Sequence, residues 1–168
     1  MKLFIIGPGR HGKDTAGDFF KEHYGLKAVP SSLFMAERVC WPYMENLGFH
    51  YATLEECFND RHTGNNRCRW RDAIAEFNGP DPARLSSEIF AENDIYVGIR
   101  ARREFLAAKP LSDLSIWVDA SERVPEIDPS LDILKSDADI VIDNNGTVPE
   151  FLEKLRRFAE FSFDLVGS

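Results

Sequence analysis

The chain has 168 residues, which is the length of one domain that can bury a sizeable core. Its 28 acidic and 20 basic residues give a net charge of −8, and 43% of its residues are hydrophobic, as in ordinary globular proteins. The acidic excess repels a polyphosphate backbone and so argues against polymeric nucleic acid as a partner, whereas a local cluster of arginines can still hold a small anionic substrate.

The cysteines and the N-terminus predict a cytoplasmic protein. Cys40, Cys57 and Cys68 are odd in number and lack a CxxC pair, which is typical of reduced cytosolic thiols. The apolar run at residues 3–6 is too short for a signal peptide, and no stretch approaches the ~20 apolar residues that cross a bilayer. We therefore expect no membrane partner, and the sequence leaves monomer and homodimer as alternatives.

The chain begins with a strand, a glycine-rich loop and a helix. Residues 3–6 are a continuous β-prone run, typical of a strand that is covered on both faces of a parallel sheet. The glycine loop follows at once. Residues 15–24 then place apolar side chains at helical spacing before Gly25, which suits the end of a helix. This order is what a phosphate-binding βα unit requires.

The glycine loop carries the strongest functional signal. Gly7, Gly12 and Lys13 have the G-x-x-x-x-G-K spacing of a P-loop. Backbone N–H groups of such a loop surround an anion, the following helix adds its positive end, and the lysine reaches the β- and γ-phosphates of ATP. The usual Ser or Thr after the lysine is replaced by Asp14, a carboxylate that can also bind Mg²⁺, and Thr15 follows. We therefore expect ATP and Mg²⁺ as ligands.

Residues 31–90 are predicted to form a helical insert between the second and third strands. A second strand at 27–30 precedes a helix that starts at 31 or 32, ends at about 47 and is broken near Pro42. Further helices are expected from Thr53, from 69 or 70 to 77, and from about 81, with a polar stretch at 59–71. In P-loop kinases of this kind, such an insert holds the acceptor.

Three more strands are predicted, at 95–99, 114–118 and 140–142, with helices at 100–109 and 149–161 and a tail at the end. Residues 120–138 include an acidic run and are expected to form a solvated connection or a reduced lid. The alternation of strands and helices predicts a three-layer α/β/α sandwich with a parallel five-stranded sheet, of the P-loop NTPase class, in a single domain that spans 1–168.

Phosphoryl transfer needs positive groups around the moving phosphoryl, and arginine binds phosphate in bidentate fashion. Two sets of arginines are available, one in the insert and one after the third and fourth strands: Arg61, Arg67, Arg69, Arg71 and Arg84, and Arg100, Arg102, Arg103 and Arg123. We select Arg71, Arg84 and Arg100 as substrate-side candidates and Arg123 as a lid arginine, with a solvated surface role as the alternative for each. Trp70 is a candidate surface for stacking an acceptor base.

Three motifs connect the sequence to a known family. They are Gly-Lys-Asp-Thr at 12–15, Arg100 after a strand with Glu104 following it, and Ile-Asp-Asn-Asn-Gly-Thr at 142–147. Together they resemble bacteriophage deoxynucleoside monophosphate kinases, which belong to the adenylate-kinase-like branch of the P-loop fold. The resemblance covers residues 1–24, 95–105 and 138–155 and does not extend to 31–90. It implies a cytoplasmic enzyme, located in the host cytoplasm if the protein is of phage origin.

The resemblance also implies roles for individual residues. It places Gly7, Gly9, Gly12, Lys13, Asp14 and Thr15 on the ATP phosphates, and Asn144, Asn145 and Gly146 near the adenine. It places Arg100 near the acceptor and the transferring phosphate, followed by the Glu104 of the family pattern. The family often has Asp two residues before this arginine, whereas this chain has Gly98, so a metal-orienting carboxylate is either missing or supplied by Asp119. His11 stands at a variable loop position and is expected to be exposed.

The leading functional hypothesis is a nucleoside monophosphate kinase, which uses ATP to phosphorylate a (deoxy)nucleoside monophosphate. Lys13, Arg100 and Arg123 are its catalytic candidates. One alternative is a P-loop kinase for another small acceptor, such as gluconate, dephospho-coenzyme A or phosphomevalonate. Another is a regulator that binds ATP without transferring phosphate, an idea that Gly98 and the small lid favour.

Overall fold

Five parallel strands form one sheet in this protein. The computed structural model describes residues 1–166, apart from the side chains of residue 67 and of residues 164–166. The strands are β1 (Leu3–Ile6), β2 (Ala28–Pro30), β3 (Ile95–Val97), β4 (Leu114–Asp119) and β5 (Ile140–Asp143), in the spatial order β2-β3-β1-β4-β5. All neighbouring strands are parallel. Their carboxyl ends therefore meet at one edge of the sheet, which is where open α/β sheets bind ligands.

Helices cover both faces of the sheet, as predicted for a three-layer sandwich. They are α1 (Lys13–Tyr24), α2 (Ser31–Met35), α3 (Trp41–Asn46), α4 (Leu54–Asp60), α5 (Asn66–Asn78), α6 (Arg84–Glu92), α7 (Arg102–Ala108) and α8 (Val148–Val166). A π-helical turn, Ala36–Cys40, joins α2 to α3, and 3₁₀ turns lie at Lys109–Leu111 and Lys135–Asp137. Within the described residues, no helix combines the length and the apolar character that crossing a membrane requires.

The central strand β1 is buried on both faces and separates two layers of the core. Leu3 and Ile5 pack with α1 and α8, whereas Phe4 and Ile6 pack with α6 and α7. Phe4 contacts Phe90 edge to face, with ring centroids 4.8 Å apart. Since successive side chains of a strand point to opposite faces, this alternation fixes β1 firmly. The loop that follows Ile6 therefore starts from a rigid position.

The predicted helix break near Pro42 is wrong. Residues 31–46 are helical throughout, because the π-helical turn lies immediately before the proline. In that turn the N–H of Trp41 bonds to Ala36 O, five residues earlier, in place of the usual four. The hydrogen-bond pattern of the helix therefore changes just before Pro42, which has no N–H to donate. The proline is accommodated without ending the helix.

Two helix boundaries also differ from the prediction. Helix α5 begins at Asn66 and not at 69 or 70, because the buried Asn66 side chain donates to Asp60 Oδ2 at 2.7 Å and closes the turn after α4. Helix α8 continues to Val166 where a tail was predicted after 161. Phe163 packs edge to face against Tyr24 of α1, with ring centroids 4.9 Å apart, so this last part of α8 covers the core.

Candidate active site

The phosphate loop lies between β1 and α1, at the carboxyl edge of the sheet. Gly7 and Gly12 have φ angles of 143° and 102°, which side chains rarely tolerate. A Cβ atom on Gly7 would lie 2.5 Å from Val118 O, and one on Gly12 would lie 2.5 Å from Asn144 Nδ2. The loop therefore packs directly against the end of β4 and the turn after β5, and its shape requires both glycines.

Lys13 begins α1 and is only 9% exposed. Its Nζ donates to Pro8 O within the loop, at 2.6 Å. Burial, followed by the positive charge of Arg100, lowers the pKa of Lys13 from 10.5 to about 8, against opposing effects of Asp14 and Asp128. An ammonium group that has lost this much solvation gains strongly from an anionic ligand.

We expect the affinity for ATP to fall as the pH rises through about 8. Lys13 is cationic below its pKa and neutral above it, so its attraction for phosphate is present below about pH 8 and lost above it. Titration of the protein with ATP between about pH 7 and about pH 9 checks this. A Lys13→Ala variant should bind ATP more weakly and show no such fall in affinity with pH. A wild-type affinity that stays constant over this interval contradicts a role for Lys13 in binding the phosphates.

A cavity of 470 Å³ opens beside the loop and is called here the first cavity. Its polar wall includes Arg61, Arg71, Arg100, Glu104 and Ser130, and its apolar wall includes Trp70, Ile74 and Tyr96. Gly98 also lines it, and a Cβ atom on Gly98 would lie 4.0 Å from Lys13 Cε. The cavity therefore reaches the lysine of the phosphate loop, with arginines and aromatic side chains in the same wall.

Three of the predicted substrate-side residues, Trp70, Arg71 and Arg100, come together in this wall. Trp70 is 6% exposed and packs edge to face against Phe58, with ring centroids 6.3 Å apart. Its ring therefore serves mainly the core of the helical insert and contributes one part of the cavity surface. Arg71 and Arg100 are both exposed, as groups that bind a diffusing anion must be.

Arg84, the fourth predicted substrate-side residue, does not line the first cavity. Its guanidinium lies over the Phe77 ring, 4.1 Å from the centroid, and donates to Phe77 O at 2.7 Å. It also pairs with Glu88 on the next turn of α6. Arg61, by contrast, lines the cavity. The side chain of Arg67 lies outside the described residues.

Glu104 places a half-buried carboxylate in the same wall. Asn78 Nδ2 donates to Glu104 Oε1 at 2.9 Å, and the amide oxygen of the buried Asn78 accepts the N–H of Leu85 at 3.1 Å. Burial raises the pKa of Glu104, partly offset by the hydrogen bond from Asn78. The carboxyl group is therefore held in place and is easier to protonate than an exposed glutamate.

A second cavity, of 390 Å³, lies beside the turn after β5. Its lining includes Gly12, Thr15, Arg123, Asn144 and Phe151. Arg123 donates to Asn144 O at 3.2 Å, and Asn144 Nδ2 donates to His11 O at 2.8 Å. The phosphate loop, the chain after β4 and the turn after β5 are thus joined around one cavity. Four predicted nucleotide-binding residues meet the lid arginine here: Gly12, Thr15, Asn144 and Gly146.

Asp14 and Asn145 do not line either cavity. Asp14 is exposed on the first turn of α1, next to Lys13, where its carboxylate faces solvent. Asn145 Oδ1 accepts the N–H of Glu122 at 2.9 Å, so this side chain ties the turn after β5 to the chain after β4.

The expectation that His11 is exposed is wrong, because the side chain is 2% exposed. Its Nδ1 accepts the N–H of Ala120 at 2.9 Å, so Nε2 carries the proton and donates to Val124 O at 3.2 Å. His11 thereby fastens the phosphate loop to the chain after β4. Its partners lie 109 and 113 positions away in the sequence, and the glycine-rich motif around His11 does not indicate that the side chain is buried against them.

The carboxylate that contacts the phosphate loop comes from Asp128, a residue that the sequence analysis did not select. Gly9 N–H donates to Asp128 Oδ2 at 3.0 Å, and Arg100 Nη1 donates to the same atom at 2.7 Å. Asp119 is instead paired with Lys135, with Oδ2 and Nζ 2.5 Å apart. Burial raises the pKa of Asp119, but hydrogen bonds from Lys135 and from Ser121 outweigh it, so the net shift is downward. The acidic run is therefore not a purely solvated connection.

Solved structures share the overall fold of this chain. The chain is similar to a shikimate kinase from Aquifex aeolicus, with a TM-score of 0.57 and 11% identity over 100% of both chains. The chain has the P-loop NTPase fold. It is also similar to TT1252 from Thermus thermophilus, with a TM-score of 0.56 and 15% identity, over 96% of this chain and 97% of that one. No family model and no curated protein matches the sequence. The predicted fold class is thus confirmed.

Proposed function

We propose that this chain is a nucleoside monophosphate kinase that transfers the γ-phosphoryl group of ATP to a (deoxy)nucleoside monophosphate. The observation that carries the proposal is the first cavity, which reaches Lys13 and combines three arginines with aromatic and apolar walls. A nucleoside monophosphate has the matching parts, since its phosphate is an anion and its base is flat and largely apolar. Membership of the bacteriophage deoxynucleoside monophosphate kinases is part of this proposal.

In this proposal the donor ATP occupies the phosphate loop and the second cavity. The residues that would hold it are Gly7, Gly9, Gly12, Lys13, Asp14, Thr15, Asn144 and Asn145. The N–H of Gly9 already holds an anionic oxygen, that of Asp128, which supports an anion-binding loop. Asp14, exposed at the start of α1, would bind Mg²⁺, and the ion would neutralise charge on the β- and γ-phosphates.

On the acceptor side, Arg71 and Arg100 would hold the acceptor phosphate, and Trp70 would contact its base. An oxygen of that phosphate forms a bond to the γ-phosphorus while the bond from the γ-phosphorus to the bridging oxygen of ADP breaks. Lys13 and Arg100 would stabilise the charge on the moving phosphoryl, and Arg123 would close over the donor. No general base is needed, because the acceptor oxygen is already anionic.

A second candidate function is a kinase for an acceptor hydroxyl group, such as that of shikimate or gluconate. Glu104 favours it, because a fixed carboxyl group of raised pKa in the acceptor cavity is a suitable general base. A Glu104→Gln variant separates the two candidates. Monophosphate transfer should keep most of its rate, whereas transfer to a hydroxyl should fall by about 100-fold or more. Steady-state rates of both proteins with their best acceptor decide between them.

The experiment that tests the proposal is ADP formation with Mg²⁺ and a panel of ribo- and deoxynucleoside monophosphates, alongside shikimate, gluconate and dephospho-coenzyme A. Rapid turnover that depends on one or a few monophosphates is the expected result. Turnover with a hydroxyl acceptor alone would favour the second candidate. ATP binding without turnover on any acceptor would identify an ATP-binding regulator and contradict both kinase proposals.

A further inference from the structure

The chain after β4 crosses the phosphate loop as an extended segment. Residues 124–130 are called here the strap. Its residues 124, 126 and 128 contact three consecutive residues of the loop, 11, 10 and 9. Val124 O accepts from His11, Glu126 pairs with Arg10 at 3.2 Å, and Asp128 accepts from Gly9. The strap therefore runs antiparallel to residues 9–11 and lies directly against the phosphate loop.

Asp128 is the part of the strap that meets the phosphate-binding groups. Its Oδ2 accepts both the N–H of Gly9 and the guanidinium of Arg100, while Ser130 holds its Oδ1 through Oγ at 2.6 Å and N–H at 3.1 Å. Burial raises the pKa of Asp128, but the hydrogen bonds of Ser130 and Arg100 outweigh it and lower the pKa, so the side chain is anionic near neutral pH. The carboxylate thus has the charge and the partners that a phosphate oxygen needs.

Apart from the contacts of Asp128, the strap is attached firmly at its ends and weakly between them. His11, 2% exposed, holds its start at Val124, and Ile133, 3% exposed, packs into the core beyond its other end. In between, Ile127 is 91% exposed, and the Arg10–Glu126 pair lies in solvent, where ion pairs add little. The middle of the strap can therefore leave the loop while both ends stay in place.

We propose that Asp128 is an internal competitor for the phosphates of ATP, so that the strap closes the phosphate loop until nucleotide displaces it. This inference rests on the proposed binding of ATP to the loop. When the phosphates take over Gly9 N–H, they also free Arg100 from the carboxylate of Asp128. Arg100 then keeps its hydrogen bond to Ser130 Oγ, 2.6 Å long, in the wall of the first cavity, where its charge is available to the acceptor. The cost of displacing the carboxylate lowers the apparent affinity for ATP, since only the open form binds it.

The test is an ATP titration of the Asp128→Asn variant against the wild-type protein. Because asparagine keeps the shape of the side chain and removes its charge, we expect ATP to bind about 10-fold more tightly. Tripolyphosphate, which has no adenine, should gain by the same factor, and adenosine, which has no phosphates, should not gain. Asp132→Asn is the matched control, because it makes the same substitution four residues further on, where the carboxylate accepts the N–H of Arg102 outside both cavities, and it should change the affinity less than about 2-fold.

The outcomes distinguish the strap from the proposed function. If the Asp128→Asn protein binds ATP no more tightly than wild type, the proposed competition by Asp128 is rejected, even if the wild type is an active kinase. An equal gain from Asp132→Asn also overturns it, because general charge repulsion then explains the effect. A gain confined to Asp128→Asn in a protein that phosphorylates no acceptor supports the strap and rejects the kinase. If neither protein binds ATP, both proposals are rejected.

Discussion

Lys13→Ala should lower kcat/KM for ATP-dependent phosphoryl transfer by about 1,000-fold. Lys13 is nearly buried, and its Nζ donates to Pro8 O within the loop, so it is positioned for a ligand there. Its pKa, lowered to about 8 by burial, indicates that the charged form opposes folding. We therefore expect the variant to lose turnover without a large fall in its unfolding temperature.

Lys21→Ala is the matched control for this variant, because Lys21 is exposed on the last turn of the same helix, α1. Its kinetics should match those of the wild type. Steady-state assays of all three proteins and thermal unfolding curves check the prediction. A Lys13→Ala protein that keeps more than about a tenth of the wild-type kcat/KM would contradict the role of the loop in phosphoryl transfer.

Arg100→Ala should have the second largest effect, a loss on the order of 1,000-fold in kcat. Arg100 lines the first cavity and shares Asp128 Oδ2 with Gly9 of the phosphate loop, so its guanidinium lies between the loop and the cavity. Arg100→Lys keeps the charge but not the bidentate geometry, and it should recover only part of the rate. We expect kcat at saturating ATP and acceptor to decrease from the wild type to Arg100→Lys to Arg100→Ala, and steady-state assays of the three proteins check this.

The control for Arg100 is Arg157→Ala, since Arg157 is exposed on α8 and pairs with Glu153 away from both cavities. It should behave like wild type. If Arg100→Ala raises KM for the acceptor but leaves kcat unchanged, Arg100 only binds the acceptor and does not stabilise the moving phosphoryl.

The phosphate loop and the sheet could be predicted because their signals are local. The apolar run of β1 leads directly into Gly7, Gly12 and Lys13, and the five strands are separate β-prone runs. The structure places Asn144 and Arg123 together in the lining of the second cavity. Asn144 directly follows β5 and Arg123 comes four residues after β4, so the predicted sheet already placed them near its carboxyl edge.

The strap could not be predicted from the sequence. Asp128 meets Gly9 across 119 positions, in a segment with neither helical nor strand periodicity, and its acidic composition indicated a solvated connection. The same reason applies to His11, whose buried partners come from the chain after β4. Arg84 has a suitable charge and lies in the insert, but only the packing of α6 shows its guanidinium held at Phe77. Contacts of this kind depend on how distant segments dock.

The central claim is that this chain moves the γ-phosphoryl group of ATP onto a nucleoside monophosphate. The most direct measurement follows label from γ-labelled ATP during incubation with Mg²⁺ and the acceptor panel, with Lys13→Ala alongside. Label that appears in a nucleoside diphosphate, and not in the variant's reaction, is the predicted result. Label that stays in ATP, or appears only as inorganic phosphate whichever monophosphate is present, contradicts the claim.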